Sequence, residues 1–420
     1  MNARSHNTVN AIRWIIVVLP IVTLATLLTS CVSGESEEDI LAFLESHWSR
    51  PVAPQGEAPA SFEAIESRLD AGSCGTCHSD QMRDWSGSQH SMAMSPGLLG
   101  QLLDMGADDR ESRQACLRCH APLAEQANEL ADFVSATLSA QGETTPDSGP
   151  QLFRQGMLCA ACHVRDYQFY GPPRREDLPP LPSGKRVAHD GWISSGAFQD
   201  SRFCASCHQF QPDEGKLNGK LMENTYGEWK ASRYAADGKS CQSCHMPDRR
   251  HLWRGIHDSA TVREGVTIIA GEVFVLSDTL FGSLTLTNSG AGHNLPTYIT
   301  PRIILEGVQL DSAGNEIEIS RRWNWISWEA SVNLDEEYQD TRLAPDESLS
   351  MDYSEPLDAQ AASLRLQVRI EPDAFYTAFY RALLDGGFTD RGSDFIRRAL
   401  EESISSHFTI FDTLVPIGSL

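Results

Sequence analysis

The chain has 420 residues, a formal net charge of −23 at pH 7 and a pI of about 4.9. Its hydrophobic content of 41% is that of a globular protein and excludes a disordered chain. A chain this acidic repels phosphate backbones, which excludes nucleic acid as a partner. The charge either keeps the protein soluble or lets it dock on a basic patch of a partner.

The first 31 residues have the layout of an export signal. Arg4 and Arg13 precede an apolar run, Trp14–Leu28, which is shorter than the roughly 20 residues of a membrane-spanning helix. The run leads into "LLTSC", which resembles the lipobox of bacterial lipoproteins and implies cleavage before Cys31 and a lipid on its sulfur. The alternative is an uncleaved anchor with an idle thiol. The residue after this cysteine is Val32. An aspartate at this position would indicate inner-membrane retention, so the valine favours the outer membrane.

The next part of the chain, up to about residue 258, is expected to be helix and loop. The segments "DILAFLESHW" and "SFEAIESRL" predict two short helices on either side of a Pro-rich turn. Further along, apolar residues recur at helical spacing and predict a helix with one apolar face. These residues are Leu123, Ala127, Leu130, Val134 and Leu138. The polar segment "QGETTPDSGP" and the Pro-rich segment "GPPRREDLPPLPSG" predict loops.

Ten of the eleven cysteines form five pairs with one spacing, and a histidine follows each pair directly. The motifs are "CGTCH" (Cys74, Cys77), "CLRCH" (Cys116, Cys119), "CAACH" (Cys159, Cys162), "CASCH" (Cys204, Cys207) and "CQSCH" (Cys241, Cys244). C-x-x-C-H is the signature of covalent haem attachment. Each cysteine forms a thioether with a haem vinyl group, and the histidine then ligates the iron.

Zinc and disulfides are the rival interpretations of this pattern. Zinc needs four-ligand sets and does not explain a histidine after every pair, while a disulfide framework would not repeat so regularly. The sequence therefore predicts five haem c groups. Their proximal ligands would be His78, His120, His163, His208 and His245. Roughly forty residues per haem are too few to bury each one separately, so the haems should pack against one another.

A c-type haem iron has a second axial position, which a distal histidine closes for electron transfer and which otherwise binds small molecules. The segment "CGTCHSDQMRDWSGSQHSMAM" resembles the multihaem c-type cytochromes of the superfamily that includes hydroxylamine oxidoreductase and its tetrahaem electron acceptor. In that family the histidine after "W-x-x-S-x" is a distal ligand of a haem other than the one just upstream. The resemblance implies this role for His90. A second such block, "EWKASRYAADGKSCQSCHMP", has Tyr234 where the histidine would stand.

Four more histidines are candidates for distal ligands, three by the same resemblance and His189 by its position between the third and fourth motifs. They are His189, His251, His257 and His293. His251 and His257 follow the fifth motif in "HMPDRRHLWRGIH", and His293 lies in "NSGAGHNLPT", which resembles a loop whose histidine reaches back to a haem. For every candidate the alternative is a surface or structural role.

Other side chains compete for these positions. Met157 or Met246 could ligate an iron in place of a histidine and would raise its potential. His47, which precedes all the motifs, and His407, on a predicted C-terminal helix, are expected to be structural.

After about residue 260 short β-rich runs alternate with turn residues. They are "VTIIAGEVFVL", "FGSLTLTN", "RIILEGVQL", "EIEIS", "SLSMDY" and "SLRLQVRI". Their spacing predicts an antiparallel sandwich, or a small sheet packed on helices. Two helices near Thr377–Leu384 and Asp394–His407 are expected to close the chain. No cysteine follows Cys244, so this part would shield the haems, supply a ligand or dock a partner.

The expected fold is thus a mainly α and irregular multihaem cytochrome c domain at residues 36–258, followed by a β-rich, sandwich-like domain with C-terminal helices at residues 260–420. The predicted function is electron transfer through five haems by an exported, lipid-anchored protein in the periplasm or at the cell surface, between redox partner proteins. The alternative is an oxidoreductase that acts on nitrite or hydroxylamine at one open haem. Five histidine-ended motifs and the spare histidines favour the carrier, whereas Tyr234 favours an open site. A haem filament is a third possibility.

Overall fold

The computed structural model describes residues 35–106, 109–139, 151–177 and 186–417. The predicted export signal with Cys31, the polar loop at residues 141–150 and part of the Pro-rich loop lie outside these ranges. Within them, no helix has both the length and the apolar character that crossing a bilayer requires.

The haem-motif part of the chain consists of short helices and long connections. The helices are α1 (Glu37–His47), α2 (Ala71–Gly75), α3 (Ser79–Ser86), α4 (Pro96–Asp104), α5 (Arg110–His120), α6 (Ala124–Ser139), α7 (Cys159–His163), α8 (Arg202–His208), α9 (Thr225–Lys230), α10 (Arg233–Ala236), α11 (Cys241–His245) and α12 (Ser259–Gly265). The small strands are β1 (Val164–Arg165), β2 (Gln168–Gly171), β3 (Ile193–Ser194), β4 (Lys216–Leu217) and β5 (Lys220–Leu221). Single 3-10 turns lie at Leu152–Gln155, Ala188–Asp190, Gly196–Gln199 and Pro247–Arg249.

Two of the helices predicted from sequence have different outcomes. "DILAFLESHW" forms α1, which begins with a capping box in which Asp39 N–H donates to Ser36 Oγ at 3.1 Å and Ser36 N–H donates to Asp39 Oδ2 at 3.0 Å. "SFEAIESRL" forms turns instead of a helix. Its Glu66 carboxylate accepts hydrogen bonds from Glu63 N–H and from the distant Arg186, so the segment is held by side-chain contacts.

Two small apolar cores stabilise the motif-bearing helices. The first lies around α2 and α7 and includes Trp85, Leu123, Leu158 and Val164. The second lies between α4, α5 and α6, where the predicted stripe of α6 contributes Leu130 and Val134. Cysteines of the motifs border both cores. The apolar side chains of this half therefore pack next to the motifs.

The remainder of the chain contains two antiparallel sheets. Their strands are β6 (Val266–Ala270), β7 (Phe274–Leu276), β8 (Thr279–Asn288), β9 (Arg302–Asp311), β10 (Arg322–Ala330), β11 (Glu337–Asp340), β12 (Ser348–Pro356), β13 (Ala361–Glu371) and β14 (Phe408–Pro416). One sheet has the order β11-β10-β9-β13-β14, and the other has β12-β8-β6 with β7 also paired to β8. One apolar core joins side chains of both sheets, including Leu284, Ile303 and Leu366, none of which is exposed. The β-rich part is therefore a sandwich.

The strands differ in three places from those predicted. "EIEIS" alternates polar and apolar residues but forms a single bridge, between Glu316 and Leu310 of β9, and ends in a 3-10 turn, Glu318–Ser320, where Ile319 is 83% exposed. The strands β10 and β11 were not predicted. The two predicted helices exist, as α13 (Ala374–Asp385) and α14 (Ser393–Ser405), but β14 follows them and pairs with β13. The chain therefore returns to the sandwich after its helices.

The α13–α14 pair connects the sandwich to the haem-motif half. Gly100 of α4 lies against Ile396 of α14, and Gly97 lies so close to Tyr380 of α13 that a Cβ there would collide with the phenol ring. Two glycines on one helix thus allow close helix packing. The contact brings the start of α13 towards α5, which carries the second motif.

Candidate haem sites

Each C-x-x-C-H motif lies on a short helix or at its end. In a helix, residues three and four apart lie on the same face, so both thiols and the histidine can reach one macrocycle. Two of the helices begin with side-chain caps: Ser73 N–H donates to Asp70 Oδ1 at 3.0 Å, and Ser243 N–H donates to Ser240 Oγ at 3.3 Å. None of the ten motif cysteines forms a disulfide, so each can form a thioether with a haem.

Four of the five motif histidines face a second histidine. The ring centroids lie 6.4 Å apart in His78–His189, 6.2 Å in His90–His208, 6.1 Å in His163–His251 and 6.3 Å in His245–His293. Metal–imidazole bonds of about 2 Å place the two ring centres of a doubly ligated iron roughly 6 Å apart. The separations therefore fit one iron between the rings of each pair. Among the described residues, no group of three or more His, Cys, Asp or Glu side chains is arranged to hold a metal ion.

Most of these imidazoles are oriented by a hydrogen bond at Nδ1. The backbone carbonyl partners are Ala93 for His120 (2.6 Å), Tyr170 for His163 (2.8 Å), Gly191 for His189 (2.8 Å), Arg254 for His245 (2.8 Å), Arg249 for His251 (3.1 Å) and Asn294 for His293 (2.8 Å). A carbonyl accepts only from a protonated Nδ1. Nε2 is then the unprotonated nitrogen, which is the one that binds a metal.

Burial keeps several of these rings in the neutral form that ligates iron. It lowers the pKa of His90 to about 3 and those of His163, His208 and His293 to about 4. Desolvation of the charged imidazolium is the largest cause in each case. At neutral pH these four rings therefore present an uncharged nitrogen.

The tryptophan and serine that precede His90 determine the turn that presents it. Trp85 Nε1–H donates to Met157 O at 2.8 Å, and Ser88 Oγ–H donates to Trp85 O at 2.7 Å. The His90 carbonyl accepts from Met157 N–H at 2.9 Å, next to Gly156, which has a φ of 59°. A side chain on Gly156 would meet this carbonyl, so glycine is required both for the φ and for the close approach.

The second block repeats this geometry with a tyrosine in the histidine's place. Trp229 Nε1–H donates to Lys239 O at 2.9 Å, and Ser232 Oγ–H donates to Trp229 O at 2.7 Å. Tyr234 is buried, and its hydroxyl donates to Ser289 O at 2.8 Å, which fixes the start of the loop that carries His293. Tyr234 thus holds in place the segment that supplies a different imidazole.

The loop with His293 is fixed at several further points. Asn288 Nδ2–H donates to His293 O at 2.9 Å, and Glu228 accepts from Asn294 N–H at 3.1 Å and from Thr297 Oγ–H at 2.7 Å. Gly290 packs on the backbone of Glu264, where a Cβ would lie 2.5 Å from the carbonyl oxygen. Residues of the β-rich part therefore reach the fifth motif through an ordered loop.

His189 is presented by a strained backbone. It has a φ of 42°, which is uncommon for a residue with a Cβ. Its N–H donates to Glu66 Oε1 at 3.0 Å, and its ring stacks on Phe169 with centroids 4.1 Å apart. Strain of this kind persists where the surroundings impose it, often at functional sites.

The two histidines predicted to be structural, His47 and His407, differ in their surroundings. His47 is buried with its Nε2 2.9 Å from Cys162 O, and His407 lies exposed after α14. The predicted distal candidate His257 pairs with neither a motif histidine nor any other imidazole in the described ranges. Its Nε2 lies 3.1 Å from both carboxylate oxygens of Asp373, a residue that directly precedes α13. This carboxylate explains why His257 does not face a motif.

His120 differs from the other motif histidines. Within the described residues no second imidazole faces it, although burial lowers its pKa as it does for its counterparts. Tyr376 lies close enough to Cys116 to interact with it electrostatically, and Glu223 lies equally within reach of Cys119. The second motif therefore has acidic and phenolic side chains nearby, which the sequence analysis did not identify.

Contacts between thiols show which motifs are neighbours. The thiols of three cysteine pairs lie close enough to perturb each other's pKa: Cys74 and Cys159, Cys119 and Cys207, and Cys204 and Cys241. Cys162 acts electrostatically on both Cys204 and Cys207. The first motif thus adjoins the third, the third adjoins the fourth, and the fourth adjoins both the second and the fifth.

Comparison with known proteins supports a multihaem cytochrome c. Residues 73–143 match the family of cytochrome c554 and c-prime. A crystal structure of a penta-heme cytochrome c552 from Thermochromatium tepidum matches with a TM-score of 0.56 and 19% identity, over 84% of this chain and 100% of that one. The identity is low, so this second likeness establishes the fold alone.

Two further comparisons add no functional argument. A putative ApaA protein from Bordetella pertussis matches 36% of this chain and 87% of its own at 10% identity, with a TM-score of only 0.16. No curated protein is significantly similar to the chain. The hydroxylamine oxidoreductase superfamily implied by the sequence blocks stays a prediction.

Proposed function

We propose that this protein is an exported, lipid-anchored pentahaem cytochrome that passes electrons between redox partner proteins. The four histidine pairs are the observation that carries the proposal, because two imidazoles close an iron to other ligands and suit it to electron transfer. Haem c, held by the ten thiols, supplies the redox chemistry. The lipid on Cys31 and a position in the periplasm, on the outer membrane or at the cell surface, belong to the same proposal.

The histidine pairs suggest an axial ligand set for each haem. We assign His78 and His189 to the first haem, His163 and His251 to the third, His208 and His90 to the fourth, and His245 and His293 to the fifth. His257 is left out because it pairs with Asp373. The second haem has His120 as its one assigned ligand.

The neighbouring thiols suggest the order of the electron path. Electrons would pass from the first haem to the third and on to the fourth, which adjoins the second and the fifth. Close spacing favours this use, because electron transfer slows steeply with distance. The net charge of −23 would favour partners with a basic surface.

The haem count and the spin state test this proposal. The mature protein should begin at a lipidated Cys31 and carry five haems, measured by intact mass and by a pyridine haemochrome assay. Low-temperature electron paramagnetic resonance of the oxidised protein should show four low-spin haems. Fewer than five haems, or a majority of high-spin irons, would contradict the proposal.

A second candidate function follows from His120. An iron with one protein ligand can bind a small molecule, so the second haem is a candidate site for reduction or oxidation of a small nitrogen compound such as nitrite or hydroxylamine. Carbon monoxide should bind one haem of the reduced protein if this is correct. Binding to none would leave electron transfer as the whole function.

A further inference from the structure

The surroundings of the second motif come from three distant parts of the chain. Thr225 Oγ1 lies 2.8 Å from Thr297 Oγ1, which joins the segment after Glu223 to the segment before Tyr298. Phe375 N–H donates to Thr300 O at 3.0 Å, which joins the same segment to the start of α13. These contacts bring the side chains of Glu223, Tyr298 and Tyr376 together.

These three side chains interact with one another and with the haem-bearing cysteines. Glu223 acts electrostatically on both tyrosines, and Asp373 does so as well. Cys119 acts on Glu223, and Cys116 acts on Tyr376, so each cysteine of the second motif has a member of the cluster near it. The cluster therefore lies beside the haem whose iron has a single assigned ligand.

Glu223 has hydrogen-bonding capacity that the protein does not use. Its Oε2 is buried and has no hydrogen-bond partner in the described part of the chain. A buried polar atom without a partner is costly, and it often belongs to a functional site. An uncharged carboxyl group could use this oxygen as a donor to a bound molecule.

The protonation states make this cluster a set of neutral O–H donors. Burial is the largest cause that raises the pKa of Glu223, and the charge of Glu228 adds to it, whereas the contribution of Cys119 is lost when its sulfur forms a thioether. Burial also raises the pKa of Tyr298 and of Tyr376, with Glu223 adding to the effect. Burial therefore favours the protonated, uncharged form of all three groups.

We propose that Glu223, Tyr298 and Tyr376 form the distal pocket of the haem held by Cys116, Cys119 and His120. Their O–H groups bind a small ligand that carries partial negative charge on the atom away from the iron. This inference rests on the second candidate function, since it requires an open second haem. The β-rich part, which supplies both tyrosines, then determines what that haem binds.

Carbon monoxide is the probe, because hydrogen-bond donors near its oxygen lower the C–O stretching frequency. The full-length haem-loaded protein is reduced, saturated with carbon monoxide and measured by infrared spectroscopy. The variants Tyr376→Phe, Tyr298→Phe and Glu223→Leu each remove one donor, so each should raise the frequency. Glu223→Gln keeps an N–H donor and should stay closer to the unmodified protein.

The controls are exposed residues of the same types, Tyr338→Phe and Glu57→Leu, which should leave the frequency unchanged. The four low-spin signals of each variant report whether the fold is intact. If carbon monoxide binds no haem, the open site and the pocket are both wrong. If it binds, but the two phenylalanine variants and Glu223→Leu keep the original frequency, the open site stands and the pocket is wrong.

Discussion

Replacement of His293 by alanine should open one iron and leave the others closed. In the proposed ligand set, four of five haems are low-spin because four pairs of rings face each other. The variant loses one ring of the His245–His293 pair, so the low-spin share should fall from four-fifths to three-fifths. The fifth haem should gain ligand binding and shift upward in potential, within the range of roughly 0.8 V that axial ligands control.

The structure indicates that the loop itself will stay in place in this variant. Its anchors use the backbone of His293 and the side chains of Asn288, Asn294, Thr297 and Glu228, none of which needs the imidazole. The defect should therefore be confined to one haem. Low-temperature electron paramagnetic resonance with integration of the low-spin and high-spin signals measures it.

Two control variants separate ligand loss from general damage. His407→Ala removes an exposed ring, and His257→Ala removes a ring bound to Asp373, so neither should change the spin state of any haem. A His293→Ala spectrum with the original low-spin share would refute the assignment. A uniform loss of low-spin signal from several haems would refute the argument that the loop is held independently.

Three further predictions concern the framework around the sites. Tyr234→Phe removes the bond to Ser289 O and should lower the free energy of unfolding by about 1 kcal/mol, measured by denaturant titration, with all five haems still attached. Leu366→Ala, in the core between the sheets, should cost about 2–5 kcal/mol while the spectrum of the first haem stays as it was. Arg186 lowers the pKa of Glu66 to about 2, so this contact should stabilise the fold at pH 6 and be lost as the pH falls from about 4 towards 2. Glu66→Gln should remove that part of the acid dependence of the melting temperature. An unchanged melting profile across this pH range would contradict the prediction.

The features that depend on residues close together in the chain could be predicted from the sequence. The C-x-x-C-H motifs are local, because one helical turn carries both thiols and the histidine. The alternating runs that became β8, β12 and β13 are also local signals, since one face of each strand lies in the core, whereas β9 is buried along nearly its whole length. In contrast, "EIEIS" has the alternation of a strand but pairs with β9 only at Glu316, which bridges Leu310, and no local pattern reveals how short that pairing is.

The second ligand of each haem could not be assigned from the sequence, because it depends on how distant segments pack. His257 and His251 follow the same motif and both qualified as candidates, yet a carboxylate just before α13 holds His257 while His251 faces His163. The substitution of Tyr234 was visible as a departure from the repeated block. Its effect, which is to hold the loop of His293, required the contact with Ser289.

The placement of the paired rings has a consequence for how the protein matures. His189 faces the first motif, but the second and third motifs lie between them in the chain. His90 faces the fourth motif, which is synthesised well after it. While the chain is still incomplete, an iron can therefore meet an imidazole that belongs to another haem, and such wrong ligation would trap a partly folded chain. His293 comes last among the paired histidines and faces His245 only when its loop has formed beside the sandwich. Slow replacement of wrong ligands by right ones should then set the rate at which the newly loaded protein reaches its final spectrum.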